Sequence, residues 1–263
     1  MPLSGSLATL LMRGLLAGLV AGIVAATVGY FIGEPHLDAA IALEEAGSAS
    51  EHGHSDHGES SGGHSHGEGE ALVSRTGQKF GQFLALGLAG LALGALYSSV
   101  AHVVRRYTSL PGPLLAMVLG AAGWAAIVAV PFFKYPANPP AVGNPDTMNE
   151  RTLLWLATVL LGIAAVAAAV GAFRVLRGRM LPTLGLIGGV AAFVLVTAVG
   201  YIVLPGANEV GTDFPATLLW QFRVASLAQT ATLWACLALG FAALTEFSER
   251  ARTPENRATT SVA

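Results

Sequence analysis

Six stretches of this chain run for about twenty residues almost without charge, and a helix needs about that length to cross the hydrocarbon core of a bilayer. They occupy residues 14–32, 80–101, 114–133, 152–173, 181–204 and 218–244, and Arg223 is the one Asp, Glu, Lys or Arg inside them. Backbone in lipid finds no water to bond with, so its N–H and C=O groups must pair within the segment, as they do in helices. The expected fold is therefore all-α: a polytopic integral membrane protein of six transmembrane helices, residues 1–263 forming a single membrane domain. Composition agrees, since charged residues make up only 11% of the chain, against about 25% in soluble domains. A water-facing surface cannot be covered with so little charge. A cleaved signal peptide would need a small-residue cleavage site after the first apolar run; Gly33-Glu34-Pro35 follows instead, so that run is kept as a span. No extended basic run is present, which removes nucleic acid as a partner. The single cysteine, Cys236, excludes an intrachain disulfide and a Cys-based metal site.

Lys and Arg in short loops set orientation. With the N-terminus inside, Arg13, Arg105, Arg106, Arg174, Arg177, Arg179, Arg250, Arg252 and Arg257 lie on the inner side. Arg75, Lys79, Lys134, Arg151 and Arg223 lie on or near the outer side, so the division of the 14 basic residues favours this orientation. Both termini are then cytoplasmic, as in a multi-pass protein of a bacterial-type cytoplasmic membrane, with residues 246–263 as a cytoplasmic tail. Of the 16 acidic residues only Glu246, Glu249 and Glu255 fall inside. The outer face is a cation-attracting surface.

The spans read as three hairpins. Leu110-Pro111 opens the third span and Leu181-Pro182 the fifth. Tyr135-Pro136-Ala137-Asn138 closes the third, and Leu204-Pro205-Gly206-Ala207-Asn208 the fifth. Thr152-Leu153-Leu154-Trp155 opens the fourth, and Thr217-Leu218-Leu219-Trp220 the sixth. This order suggests a parallel repeat of two-helix units, the first two spans forming a diverged third. Gly14, Gly18 and Gly22, with Gly77, Gly81, Gly90 and Gly94 around the second span, have the four-residue spacing that lets helix backbones approach closely in lipid.

Residues 34–79 form the first outer loop. Within it, residues 46–70 hold seven Gly, six Ser, five His and five acidic residues, a composition that cannot build a core and is expected to be disordered without a ligand. Its histidines are His52, His54, His57, His64 and His66. Imidazole interleaved with carboxylate suits divalent cobalt, nickel, zinc and copper, so this segment is the candidate metal-capture loop. Selectivity is not expected from it, because copper outcompetes cobalt at such ligands.

Further polar groups line the expected route. Glu34, Asp38 and Glu45 fall on one face of a helix at 100° per residue, with His36 beside them, and are candidates for an outer mouth. Lys134-Tyr135-Pro136-Ala137-Asn138-Pro139-Pro140 is too rich in proline for regular structure, so its carbonyls must face water or a cavity. Asn138 there, Asn208 and Glu209 at the matching place in the next hairpin, and Ser226, Gln229 and Thr230 on the sixth span are candidate pathway residues. Arg223 would repel a cation and is expected to pair with Glu209 or Asp213.

Taken together, several motifs resemble those of the CbtA family of predicted cobalt transporter subunits. They are Arg13-Gly14-Leu15-Leu16-Ala17-Gly18, Gly33-Glu34-Pro35, Asp38-Ala39-Ala40-Ile41-Ala42 and Glu44-Glu45, then the run from Pro131 through Gly143, and Phe222-Arg223-Val224-Ala225-Ser226-Leu227 with Gln229. The resemblance implies an integral membrane protein proposed to import cobalt for cobalamin synthesis, often beside a small single-span partner bearing histidines. This chain carries its own histidine-rich loop, and six spans where the family is often described with about five.

The reading that follows is import of a divalent transition metal as transported ligand, Co2+ first and Ni2+ or Zn2+ next, with the lipid bilayer as its surroundings and a homo-oligomer as one form. The alternative is a membrane metal-binding or scaffold subunit that presents such ions to a separate permease. No Walker phosphate loop occurs, so ATP coupling would need another chain. No His, Asp or Glu pair clusters inside the spans, so no enzyme is expected.

Overall fold

The computed structural model describes residues 3–52, 74–179 and 181–260. Among them six helices are long and apolar enough to cross a membrane. The first span is α1 (Leu7–Val28), which passes through a π turn at Gly29–Gly33 directly into α2 (Glu34–His52). The second is α3 (Arg75–Val104). The third comprises α4 (Gly112–Trp124), a π turn at Ala125–Ala129 and α5 (Val130–Lys134). The fourth and fifth are α6 (Met148–Arg177) and α7 (Pro182–Val203), and α8 (Ala216–Thr260) contains the sixth.

Local chemistry explains several boundaries. Ser6 and Ser74 accept hydrogen bonds from the amides of Thr9 and Gly77, the usual way a helix start satisfies an orphan donor. Pro182 sits in the first turn of α7, where its missing N–H costs nothing. Both π turns end two residues before a proline, Pro35 and Pro131. Proline cannot donate to the carbonyl four residues back and its ring crowds that carbonyl. A wider turn absorbs the conflict without ending the helix.

Small residues set the packing. A Cβ on Gly14 would strike the carbonyl of Gly94, one on Gly18 that of Gly90, and one on Gly22 that of Leu86. The two residue numbers sum to the same value in each pair, as an antiparallel crossing requires. Gly81 meets nothing within 4 Å, so the glycine pattern of the second span is used in its later part. Gly120 and Gly123 lie against Ala238 and Trp234 of α8, and Gly162 of α6 lies against the Ala126 carbonyl in the second π turn.

The chain order gives three successive hairpins, and the packing adds what order cannot. The α1–α3 pair packs along its length, and so do α6 and α7. By contrast α8 leaves its chain neighbour α7 and inserts between α1 and α4. The core sits there, around Leu10, Tyr97, Leu115, Trp234, Leu237 and Phe241. The most apolar part of α7 buries almost none of its residues fully, as suits a helix with one side on α6 and the rest toward lipid.

One expectation is adjusted, and one is filled in. Residues 46–52 belong to α2, so the helix carries the chain further into the loop than its glycine and serine content suggests; most of the histidine segment lies outside the described residues. Residues 246–260 continue α8 as helix, so the tail is an extension of the sixth span.

Candidate functional site

Two polar regions lie at the end of the bundle opposite the N-terminus. The first is built by the start of α2 and the start of α3. Glu34, buried at the first turn of α2, accepts from Arg75 Nη2 at 2.5 Å. Asp38, one turn on, accepts from Arg75 Nε at 2.8 Å and from Lys79 Nζ at 2.8 Å. Two carboxylates thus face two cations from the neighbouring helix. Of the proposed outer mouth, Glu34 and Asp38 are brought together as the helical spacing predicts, but as partners of Arg75 and Lys79. Glu45 stands further along α2, exposed, and His36 is half-buried.

The second region is a cavity of about 780 Å³. Its walls come from the second π turn and α5, the proline-rich segment after α5, the first two turns of α6, residues 207–210 and the stretch of α8 from Arg223 to Thr230. Five of the six candidate pathway residues (Asn138, Asn208, Glu209, Ser226 and Thr230) line it. Ser226 and Thr230 share a face of α8 because they are four apart, and Arg223 precedes them on the same side. Thr230 directs its hydroxyl proton to the backbone carbonyls of Ser226 and Leu227, each at 3.0 Å.

Arg223 differs from expectation. It donates from Nη2 to the Asn138 amide oxygen at 2.8 Å and from Nε to the Ala137 carbonyl at 3.3 Å. The pairing predicted with Glu209 or Asp213 is absent, because Arg151 of α6 reaches Glu209 first, Nη1 to Oε2 at 3.1 Å. Thr147 donates to the other carboxylate oxygen at 2.5 Å. The Arg151 contact is an ion pair by distance, without hydrogen-bond alignment, since Glu209 Oε2 is buried and accepts no hydrogen bond among the described residues.

The segment between α5 and α6 holds these groups in place. Ala141 adopts φ 64 and Gly143 φ 119, left-handed conformations that cost an L-residue energy. At Gly143 a side chain would also meet Arg151 Nη1 at 2.5 Å. Tyr135 donates its hydroxyl to the Pro205 carbonyl at 2.7 Å. The corresponding ends of the third and fifth spans, matched in the sequence repeat, therefore touch. Burial, aided by Glu150, raises the Tyr135 pKa above its ordinary value, so this donor keeps its proton.

Gln229 lies outside the cavity. Glycine at position 29, in the first π turn, leaves room for the carboxamides of Gln229 and Gln82. The Gln82 Oε1 atom is buried without a hydrogen-bond partner. Sequence reading missed Gln82, and it missed Arg151 as a cavity residue, having weighed it only for topology. A polar residue at the edge of a span was the available signal in both.

Most of the histidines fall outside the described residues. His52 ends α2, and His54, His57, His64 and His66 lie outside the described residues. Among the described residues no three His, Cys, Asp or Glu converge as metal ligands.

Comparison with known proteins adds one match. The family model described as a probable cobalt transporter subunit (CbtA) matches residues 7–246, which spans all six apolar helices. No curated protein and no solved structure matches the chain.

Proposed function

Since this chain belongs to the CbtA family of probable cobalt transporter subunits, we propose that it imports divalent transition metal, Co2+ first, across the cytoplasmic membrane. The observation that carries this reading is the outer-end cavity, where Asn138, Asn208, Glu209, Ser226 and Thr230 gather oxygen ligands between helices. Carbonyl, amide and hydroxyl oxygens can replace part of an ion's hydration shell. In this account both termini are cytoplasmic and residues 34–79 lie outside. The histidines of the first outer loop collect ions there, and acidic residues not held by Arg75 and Lys79 raise the local cation concentration.

Import needs no pump in this scheme. An inside-negative potential favours inward movement by about 2.3 kcal/mol per charge per 100 mV, so a divalent ion gains about twice that. The family's description as a subunit favours a second reading, in which the chain binds metal and presents it to a separate permease, such as one formed with a small histidine-bearing partner. Purified protein in liposomes loaded with a metal-quenched dye separates the two. Cobalt influx without any partner chain supports import. Retention of cobalt on the protein with no influx supports the presenting role and refutes import by this chain alone.

A further inference from the structure

The cavity has the wrong sign for a bare dication. Its lining includes Arg151, Arg223 and Glu209. Glu209 faces Arg151 at 3.1 Å, so those two charges offset each other. Arg223 bonds only neutral oxygens, the Ala137 carbonyl and the Asn138 amide, and no carboxylate among the described residues lies within ion-pair distance of it. The net charge of these groups is therefore positive. A guanidinium offers five N–H donors, and two are in use.

Arg223 therefore keeps guanidinium donors and an uncompensated charge at the cavity wall. Its planar fork matches a carboxylate better than any other group in a protein does. Size points the same way. A dication with about six waters, each about 30 Å³, fills roughly 200 Å³, whereas this cavity measures about 780 Å³. The loop that presents Asn138 is also held in an unusual form, with Ala141 at φ 64, and such strain collects at ligand clamps.

We propose that the cavity receives the metal as an anionic carboxylate complex, a free carboxylate of the chelator docking on Arg223, and that the dication moves on without the chelator, because an inside-negative potential favours the ion and opposes the anionic complex. The oxygens of Asn138, Asn208 and Glu209 face the remainder of the complex. The metal in this proposal rests on the transport reading above; the carboxylate rests on the cavity alone. The two conflicting demands of the site are thereby met. A dication is admitted past an unpaired arginine because the chelator brings the compensating charge.

The test uses full-length protein in nanodiscs of zwitterionic lipid, with radiolabelled citrate as the probe, alone and as its 1:1 complex with Co2+. Reading bound citrate avoids counting metal held by the histidine segment. Saturable citrate retention is expected, at least as strong with Co2+ as without. Arg223→Gln should weaken it tenfold or more, Arg223→Lys by an intermediate factor because it keeps charge without the fork, and Arg250→Gln on the far extension of α8 should leave it unchanged. Arg223→Lys also guards against a folding defect in the glutamine variant. Absence of saturable retention, retention equal in Arg223→Gln, or loss of retention when Co2+ is added would each overturn the proposal. So would citrate binding that disappears in parallel with the addition of phosphatidylglycerol at low mole fraction, which would make the occupant a lipid phosphate. Retention without influx into liposomes would instead refute import by this chain while the carboxylate site stands.

Discussion

Gly18→Ala isolates the contact on which the α1–α3 pair depends. The added Cβ would lie 2.9 Å from the Gly90 carbonyl carbon, 3.0 Å from Gly94 Cα, and closer still to the Gly90 oxygen. All three are backbone atoms, so no rotamer change relieves them; the helices must part by about 1 Å to restore ordinary 3.5–4.0 Å contacts. A gap of that size forfeits a quarter to a half of the dispersion attraction it opens, and it opens along the neighbouring Gly14 and Gly22 contacts as well. Lipid offers no hydrophobic force to hold the helices together. Overpacking generally costs about 1–3 kcal/mol, and the extended contact places Gly18→Ala near the top of that range. At about 2–4 °C per kcal/mol for a chain near this size, thermal unfolding in detergent should fall by roughly 6–12 °C.

Gly81→Ala is the control, because nothing lies within 4 Å of that position and alanine favours helix by up to about 1 kcal/mol. The double variant Gly18→Ala with Gly90→Ala should be less unstable than the two single losses added, since the first separation accommodates the second side chain. Equal melting temperatures for Gly18→Ala and Gly81→Ala would refute the reasoning and leave the glycine spacing without a packing role.

Other consequences follow from the two polar regions and the loop. Arg75→Gln should cost about 1–3 kcal/mol because it leaves the buried Glu34 carboxylate short of its closest cation, whereas Lys79→Gln should cost less, its closer partner Asp38 being well exposed; chemical unfolding of the two variants checks the order. Gly143→Ala should lose about 1–3 kcal/mol through its positive φ and the crowding of Arg151, and should weaken citrate retention along with stability. Removal of residues 47–69 should reduce cobalt uptake at low external metal and leave the saturated rate nearly unchanged; collapse of the saturated rate would make the loop part of the permeation site. Capture by that loop should fade as external pH drops below about 6, because imidazole titrates near 6.5 and binds metal only when neutral; comparison of uptake by the full chain and the deletion across that range provides the measurement.

The sequence by itself determined the six apolar helices, because hydrocarbon leaves backbone groups no partner except their own segment. It also marked glycine-rich faces on α1 and around α3 for close packing; that Gly14, Gly18 and Gly22 meet the later part of α3, and that Gly81 meets nothing, came from the packed structure. It marked Asn138, Asn208, Glu209, Ser226, Gln229 and Thr230 as one group, through a proline-rich break and a helical spacing that both signal polar surroundings; five of them share the cavity and Gln229 does not. What it could not fix was lateral order. Lipid surrounds every span alike, so the hydrophobic pattern does not say whether α8 stays beside α7 or inserts between α1 and α4. The packing of the helices as a whole decides the partners of the described charges at the loop end. It assigned Glu34 and Asp38 to Arg75 and Lys79, assigned Glu209 to Arg151, and left Arg223 with neutral oxygens. Charge pairing depends on distances of a few ångströms between residues far apart in the chain, and only the packed helices supply those distances.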